Sequence, residues 1–492
     1  MLTAAVFVPL IGALAVAGLP RAGDRTVRRV ALGFSVVPLV AMVAAWARYG
    51  GGDGFQLVES ARWIPTLGVG YKLGVDGVSL PLAALTALLF PAAMAYPVDL
   101  RGRPRQYFGT FLFLECVSMG LFLALDLFLF YVFFDLSLVG MYFLIGVWGH
   151  GDARRSALKF FLYTLAGSLF MLLAVLGLYL ETSPRTFDMA AIIDQQPLAG
   201  GGLRAALVFA GFALGFGIKT PVVPFHTWLP PAHVDAPAPA SAILAGVLLK
   251  MGTYGFVRIL VPMLPDTFRQ YAPWLAAVGV VSIVYGSLVA LAQTDFKRLV
   301  AYTSVNHMGY VILGVAAAGA FASRESEARS IALTGATVEM VAHGLITGSL
   351  FLLAGSLWTR AETYEMGEFG GLAGRAPALT GATILAAFAS LGLPGLAGFV
   401  AEFQIFAGTF SVYPVAAGVG LLGIVVTAAL FLRMLQQVFL GPLPERWRDW
   451  PDLSSVEKAV LAPLLALVVV IGVVPAWLLD VVQATADSLL GL

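Results

Sequence analysis

Two lysines of this sequence lie within apolar stretches, where an ammonium group is costly to accommodate. The chain has six lysines, and Lys219 and Lys250 fall in the segments GFALGFGIKTP and ILAGVLLKMGTYGF. A charged side chain at the depth of a bilayer costs several kcal/mol, so lysines in such places are typical of proton or ion pathways. One isolated lysine could equally snorkel to an interface or form a structural pair. Two lysines joined by a histidine-bearing stretch favour transport.

A carboxylate occupies a similarly apolar stretch upstream. Asp135 is the one charged residue of LFYVFFDLSLVGMYFLI. We expect Asp135 and Lys219 to form a coupled pair whose protons belong to both groups. The alternative is a static salt bridge between two helices, because buried ion pairs can be merely structural. Glu115 and Asp126 are weaker candidates, since each could lie at a helix end or face a loop.

Four of the five histidines lie in or beside apolar stretches. His226 and His233 belong to PFHTWLPPAHVDAP, and His307 belongs to TSVNHMGY. His343 follows Glu339 by four residues, which is about one helical turn. A single histidine on an apolar helix is more often a hydrogen-bonded core residue. Several histidines between lysines and carboxylates favour proton transfer near neutral pH.

Other kinds of chemistry find little support in the sequence. The histidines lack the His-x-x-x-His spacing with a catalytic glutamate, so a metal site is not expected. The single Cys116 excludes a disulfide framework or a cysteine-bound metal cluster. A net charge of +1 without a dense basic run argues against nucleic acid as a partner. We therefore expect no cofactor in this chain.

The composition shows what must position these residues. Hydrophobic side chains make up 59% of the 492 residues and charged ones 12%, which is typical of an integral membrane protein. A membrane-crossing helix needs roughly 20 apolar residues. The sequence predicts an all-α fold of about fourteen such helices, at 1–19, 30–49, 77–96, 108–125, 127–148, 159–180, 204–224, 239–262, 272–293, 299–319, 328–357, 377–408, 412–436 and 457–480.

Two of these predicted helices are interrupted at mid-span, at 217–221 and 391–395, and Glu402 follows the second interruption. Matching breaks in two halves indicate an inverted-repeat transporter with sites near the breaks. Glu402 is then the natural group for proton uptake or release; a carboxylate exposed at the membrane edge is the alternative. We predict one membrane domain (1–492) with discontinuous helices 7 and 12. It comprises helices 1–3 (1–107), inverted five-helix repeats of helices 4–8 (108–262) and 9–13 (272–436), and helix 14 (457–480).

The distribution of arginine and lysine predicts the orientation. Cations concentrate in the loops that follow odd-numbered helices, and such loops stay in the cytoplasm. Both termini are therefore predicted outside, although Arg48, Arg62 and Lys72 weaken the contrast. The cations that carry this prediction are Arg21, Arg25, Arg28, Arg29, Arg101, Arg103, Arg105, Arg154, Arg155, Lys159, Lys297, Arg298, Arg446, Arg448 and Lys458.

Several of these motifs together resemble a known transporter family. The sequence is similar to the proton-translocating family that contains the three large antiporter-like subunits of respiratory complex I and the Mrp-type cation/proton antiporters. The resemblance covers about residues 70 to 440, and Glu402 in place of the lysine usual there favours the M-type subunit. The segments that carry it are KTPVVPFHTWLPPAHVDAPAPASAILAGVLLKMGTYGFVR, DFKRLVAYTSVNHMGY, VAHGLITGSLFLLAG, LPGLAGFVAEF and YKLGVDGVSLPL at 71–82.

The resemblance implies a role for each candidate residue. Asp135 takes the place of the family's helix-five glutamate, Lys219 that of the pumping lysine and Lys250 that of the connecting lysine. Glu402 would exchange protons at the end of the path. His226, His233 and His343 would line the polar axis, with His307, Glu339 and Glu115 as further supporting candidates.

The resemblance also implies the setting. NADH, FMN, iron–sulfur clusters and quinone are expected in partner subunits, with other antiporter-like subunits and membrane lipid beside this chain. The expected location is the cytoplasmic (inner) membrane of a bacterium. The activity implied is that of a non-redox subunit of a proton-translocating NADH:quinone oxidoreductase.

Three positions depart from the family pattern: Asp135 replaces a glutamate, Gly140 a proline and Glu339 a glutamine. They leave room for a divergent paralogue in an alternative complex I or a membrane-bound hydrogenase. Two competing hypotheses are an Mrp-like cation/proton antiporter and a structural scaffold that has lost transport.

Overall fold

The computed structural model describes residues 1–19, 23–52, 54–320 and 326–492, so Arg21 lies outside the described residues. Ten helices of these ranges are long and apolar enough to cross a membrane, and four shorter apolar helices accompany them. A helical multi-pass membrane protein is thus confirmed, whereas the figure of fourteen spans and the division into repeats stay predictions. The first helices are α1 (Leu2–Ala17), α2 (Asp24–Arg48), α3 (Ser79–Ala95), α4 (Pro104–Leu123), α5 (Leu127–Trp148), α6 (Ala153–Glu181), α7 (Met189–Gln195), α8 (Leu203–Lys219) and α9 (Leu229–Asp235).

The next helix, α10 (Ala238–Met263), is wholly buried and irregular. Its hydrogen bonding widens to the π-helical pattern over Leu244–Leu248 and Phe256–Leu260. Such bulges are rare and often occur at functional sites. The helices after it are α11 (Pro265–Leu291), α12 (Phe296–Ala318), α13 (Ser326–Ala361), α14 (Pro377–Ser390), α15 (Ala397–Val412), α16 (Pro414–Phe439), α17 (Ser455–Val473) and α18 (Ala476–Leu490).

A β-hairpin lies between α2 and α3, which the all-α prediction did not include. Strands β1 (Gln56–Ile64) and β2 (Val69–Val75) pair antiparallel. Glu59 of β1 accepts hydrogen bonds of 2.8 Å from the main-chain nitrogens of Leu2 and Thr3, which fixes the start of α1. Burial raises the pKa of Glu59, but hydrogen bonds from the terminal ammonium group and Thr3 outweigh it and lower the pKa to about 2.

The contacts of this hairpin define one end of the bundle, which we call the hairpin face. The start of α1 and the carboxyl-terminal ends of α10 and α18 lie there, because they contact the hairpin or the turn after it. The opposite end, which we call the loop face, carries the turns between α5 and α6 and between α9 and α10. His150 donates its main-chain N–H to the carbonyl of Asp235 at 2.8 Å there.

Both predicted interruptions are present in the structure. Helix α8 ends at Lys219 and the chain becomes helical again at Leu229, while α14 ends at Ser390 and α15 starts at Ala397. Main-chain groups freed within a membrane need a partner inside the protein. The indole of Trp228 donates to the carbonyl oxygen of Ile218 at 3.0 Å and satisfies one of them.

The last predicted helix, 457–480, is divided in the structure. Helix α17 ends at Val473, and Pro475, which has no N–H to donate, precedes α18. Helix α18 packs along α13 and against the turn that follows the hairpin. It therefore covers part of the hairpin face instead of extending α17.

Candidate proton-transfer axis

The buried centre of the molecule joins a lysine to a histidine. Lys250 of α10 lies two residues after the first π-helical segment, and its Nζ lies 2.6 Å from Nδ1 of His343 on α13. The same Nζ donates to the main-chain oxygen of Ala245. Both side chains are 1% exposed or less. The sequence predicted both residues on the axis, and the structure places them in direct contact.

A second histidine continues this contact series toward the break between α14 and α15. The ring of His307 on α12 lies 5.4 Å from that of His343, centroid to centroid. Its Nε2 forms a 3.0 Å hydrogen bond with Ser390 Oγ, at the last residue of α14. Its Nδ1 lies 3.2 Å from Glu339 Oε1 and 3.7 Å from Glu402 Oε1. One imidazole thus faces two buried carboxyl groups, an arrangement in which protons are shared.

The main chain at the break is shaped around Glu402. Gly392 has φ +77°, in the left-handed region that favours glycine. A Cβ on Gly392 would overlap Oε2 of Glu402. The turn therefore leaves space for the carboxyl group of Glu402 beside the end of α14.

This cluster is only partly hydrogen-bonded. Among the described residues, Nε2 of His343 and Oε2 of Glu339 are buried without a hydrogen-bond partner. Most buried polar atoms of proteins are paired, so unpaired ones need an explanation. Open donor and acceptor positions next to one another allow a proton to change its site.

Lys219 and Asp135 occupy the first half of the molecule and do not form the static salt bridge that was the alternative to a coupled pair, so their coupling stays a prediction. Lys219 ends α8, and its Nζ donates to Ser137 Oγ at 2.9 Å and lies 5.1 Å from the ring centre of Phe134. Asp135 is half-buried and accepts a 2.7 Å hydrogen bond from Ser168 on α6. Because aspartate is one methylene shorter than glutamate, the carboxylate of Asp135 reaches less far toward the ammonium group of Lys219.

The remaining candidates differ in how close they lie to the axis. His233 is buried, stacks on Phe351 with centroids 4.4 Å apart, and has both ring nitrogens unpaired among the described residues. His226 lies aside, with its ring 5.1 Å from that of Tyr285. Glu115 is buried on α4, toward Ser35 of α2, away from the contacts of Lys219 and Lys250.

Two buried cations, Lys297 and Arg258, were not predicted as site residues from the sequence. Lys297, interpreted as a loop cation, has no exposed surface and donates to the carbonyls of Val234 (3.2 Å) and Ala236 at the end of α9. Arg258 pairs with Asp76 in the interior. Its spacing could have predicted a place on the same side of the helix as Lys250, because Arg258 follows Lys250 by eight residues, or about two helical turns.

His150 stands at the loop face beside Lys297. Its ring stacks on Trp358 with centroids 4.2 Å apart and 11° between the planes. Burial, with smaller contributions from the charges of Lys297 and Arg101, lowers the pKa of His150 to about 4. The imidazole is therefore neutral at neutral pH.

Comparison with known proteins shows the same arrangement of motifs elsewhere. Residues 124–431 match the family model described as NADH:quinone oxidoreductase/Mrp antiporter, transmembrane. The chain belongs to this family. A predicted resemblance is thereby confirmed, with the matched residues including Asp135, Lys219, Lys250 and Glu402.

Similarity to individual members of the family extends over nearly the whole chain. NAD(P)H-quinone oxidoreductase chain 4 3 of Trichormus variabilis is 39% identical, with 96% of this chain and 88% of the relative covered. NADH-quinone oxidoreductase subunit M of Rhodobacter capsulatus is 38% identical, with 99% of this chain and 96% of the relative covered.

Solved structures agree with these sequence relatives. A chain of respiratory complex I from Thermus thermophilus with bound NADH superposes with a TM-score of 0.89 at 32% identity, over 100% of both chains. A chain of the Mrp complex from Dietzia sp. has a TM-score of 0.87 at 23% identity, over 99% of this chain and 97% of that one. The second likeness, at this identity, shows the shared fold alone.

Proposed function

We propose that this chain is a proton-translocating, non-redox membrane subunit of an NADH:quinone oxidoreductase, in the position that its relatives call subunit M or chain 4. One observation carries the proposal: the buried contacts from Lys250 through His343 and His307 to Glu402 form an unbroken series of titratable groups. Buried ionisable groups in a membrane protein are costly and typically mark ion pathways.

The geometry supports a sequence of charge and proton movements. Asp135 is bound by Ser168 and Lys219 by Ser137, and neither hydroxyl group neutralises a charge. A change of charge at Asp135 therefore alters the electrostatic environment of Lys219. A proton then passes toward Lys250, from its Nζ to Nδ1 of His343, and through His307 to Glu402. Glu339 holds a proton beside His307 while Glu402 exchanges its own.

Energy for this movement must come from outside the chain. Moving one elementary charge against 100 mV costs about 2.3 kcal/mol. We propose that NADH, FMN, iron–sulfur clusters and quinone are bound by partner subunits, whose electron transfer drives the charge changes here. Neighbouring antiporter-like subunits and lipid would contact the exposed apolar side chains of helices such as α6, α8 and α16, among them Leu173, Leu207 and Val425.

The same proposal places the protein in a bacterial cytoplasmic membrane with both termini outside, so that the hairpin face is the outer one. A complex I role is preferred to an Mrp-like one because the sequence relatives at 38–39% identity are quinone oxidoreductase subunits, while the Mrp chain is 23% identical.

Proton pumping by the reconstituted parent complex carrying Lys219→Ala tests the function. We expect pumping to fall roughly tenfold or more, because a barrier raised by about 1.4 kcal/mol already slows a step tenfold. NADH oxidation in coupled vesicles should fall with it. Lys458→Ala is the matched control, since Lys458 is exposed on the loop face.

Assembly must first be shown to be equal by native gel. Unchanged pumping in an assembled Lys219→Ala complex would refute the proposed function and leave a structural scaffold. A sodium-dependent activity in the wild type would instead support the antiporter hypothesis.

A further inference from the structure

Helix α10 carries a column of polar side chains from the axis toward the hairpin face. Lys250, Tyr254 and Arg258 are spaced by four residues and are all buried. Nε of Arg258 donates to the hydroxyl oxygen of Tyr254 at 3.1 Å. That hydroxyl donates in turn to the carbonyl of Phe122 at 3.2 Å. The column therefore runs along one helix, with its last two members hydrogen-bonded.

Asp76 closes this column at its outer end. Its Oδ2 pairs with Nη2 of Arg258, and both side chains are 3% exposed or less. Its Oδ1 accepts hydrogen bonds from the main-chain nitrogens of Val78 (3.1 Å) and Ser79 (2.9 Å), at the start of α3. The carboxylate is thus held by the main chain on one side and by the guanidinium on the other.

A cavity of about 480 Å³ lies on the far side of this ion pair. Its lining includes Asp76, Arg258, Asp194 and Gln196, and the carboxyl-terminal end of α18 contributes Ser488. The cavity belongs to the hairpin face, where the turn at Asp76 and the end of α18 meet. The ion pair therefore separates the column that starts at Lys250 from a cavity with polar side chains in its lining.

We propose that the Asp76–Arg258 pair is a gate through which protons leave the axis at the hairpin face, in addition to the path through Glu402. When the pair parts, the Lys250 ammonium loses a proton and the Asp76 carboxylate gains one, with the Tyr254 hydroxyl accepting and donating between them. Asp76 then releases the proton into the cavity and pairs with Arg258 again. The closed pair prevents back-flow, because a paired carboxylate has no free site for a proton.

Helix α18 is placed to influence this gate. Oγ1 of Thr485 accepts a 2.8 Å hydrogen bond from the main-chain nitrogen of Gly77, next to Asp76. A shift of α18 relative to α3 would therefore move Asp76 against Arg258. Helix α18 also contacts α13, which carries Glu339 and His343, so the gate and the axis share a neighbour.

The proposal rests on the proposed function but has a test of its own, the lifetime of an imposed pH gradient in vesicles that hold the whole complex without NADH. The test variant is Arg258→Gln, which removes the closing partner and keeps the Asp76 carboxyl group that carries the proton. The matched control is Arg360→Gln, because its mostly buried pair with Glu457 (2.8 Å) lies at the loop face, away from the column.

We expect Arg258→Gln to lose the gradient faster than the wild type and the control, because Asp76 is then open to protons at all times. A wild-type gradient lifetime in an assembled Arg258→Gln complex, or equal leakage in the control, would overturn the gate. If Arg258→Gln does not assemble, Arg258→Lys is measured in the same assay. Lysine loses the hydrogen bond to Tyr254 and the fork of the guanidinium group, so it closes the pair less well. A smaller leak is therefore expected, and its absence would overturn the proposal.

The two proposals fail in different ways. A wild-type pumping rate in Lys219→Ala contradicts the transport function, and this pumping assay requires NADH. The gradient lifetime needs no turnover, so its outcome bears on the gate alone.

Discussion

At the scale of single residues, the second half of the axis depends on one imidazole between two carboxyl groups. His307 lies within 3.7 Å of both Glu339 and Glu402 through the same ring nitrogen, while Ser390 occupies the other. Glu339, where the resemblance predicts a glutamine, lies beside His307. We therefore expect it to act as a second proton site near the break and not as a remote charge.

Gly392→Ala tests whether the left-handed turn must be glycine. The substitution forces a non-glycine residue to φ +77° and displaces the carboxyl group of Glu402. We expect a loss of about 1–3 kcal/mol of stability together with impaired pumping. Thermal unfolding of the purified complex and pumping in vesicles measure the two effects.

Gly381→Ala, in helix α14 before this turn, is the control, because nothing lies within 4 Å of its added Cβ. Alanine is favoured over glycine within a helix by up to roughly 1 kcal/mol, so this variant should be neutral or stabilised. Equal destabilisation of both variants would contradict the role given to the turn.

His150 predicts a pH dependence at the loop face. Its folded-state pKa of about 4 lies below the ordinary value of 6.5. The unfolded chain therefore binds a proton first as the pH falls, and the folded state loses stability from about pH 6.5 down to 4. His150→Phe keeps a ring against Trp358 and removes the titration, so its melting temperature should fall less than that of the wild type across this window. Parallel melting curves of the two would contradict the assignment.

At the scale of secondary-structure elements, the docking of α18 depends on a glycine in the turn after the hairpin. A Cβ on Gly77 would overlap the main-chain oxygen of Val481. We expect Gly77→Ala to displace α18 at a cost of about 1–3 kcal/mol, as for other overpacked contacts. Limited proteolysis should then cut α18 sooner than in the wild type, while Gly367→Ala, which meets no atom within 4 Å, should resist cleavage as the wild type does.

The helices show how far the sequence predicts this fold. Apolar length and mid-span glycine and proline gave the helices and both interruptions, because these features are local. The hairpin was missed, since its segment 50–76 is a polar connection whose pairing partner cannot be inferred from hydropathy. The split at Pro475 was missed because the apolar stretch continues across it.

The candidate site divides in the same way. Lys250, His343 and Glu402 were predicted from charges in apolar stretches, and the structure joins them through His307. The coupling expected between Asp135 and Lys219 stays a prediction, while a direct salt bridge between them is absent, because such pairing depends on side-chain length and helix orientation. Lys297 was interpreted as an exposed loop cation because it lies at the start of a helix next to a loop. Its burial depends on the neighbouring end of α9, which the local sequence does not reveal.

At the scale of the whole molecule, the orientation remains a prediction that cysteine labelling can decide. Cys116 is 3% exposed and can be replaced by serine to give a background without cysteine. Arg204→Cys lies on the hairpin face and Glu445→Cys on the loop face, and both side chains are well exposed. A membrane-impermeant maleimide applied to spheroplasts should label the first directly and the second only after permeabilisation, since the hairpin face is predicted outside. The reverse pattern would invert the orientation.

The two π-helical segments of α10 also constrain how this helix can tolerate length changes. Each residue of an α-helix turns the chain by about 100°. A π-helical turn holds one residue more than an α-helical turn, so a deletion within Leu244–Leu248 is absorbed by the return to regular hydrogen bonding, and Lys250 still faces His343. The same deletion within Ala238–Ile243, where hydrogen bonding is already regular, instead rotates Lys250 relative to the preceding turns by about 100°. In α10 a single-residue deletion is therefore absorbed only at the π-helical segments, and elsewhere it disconnects the two halves of the protein while helical content is preserved.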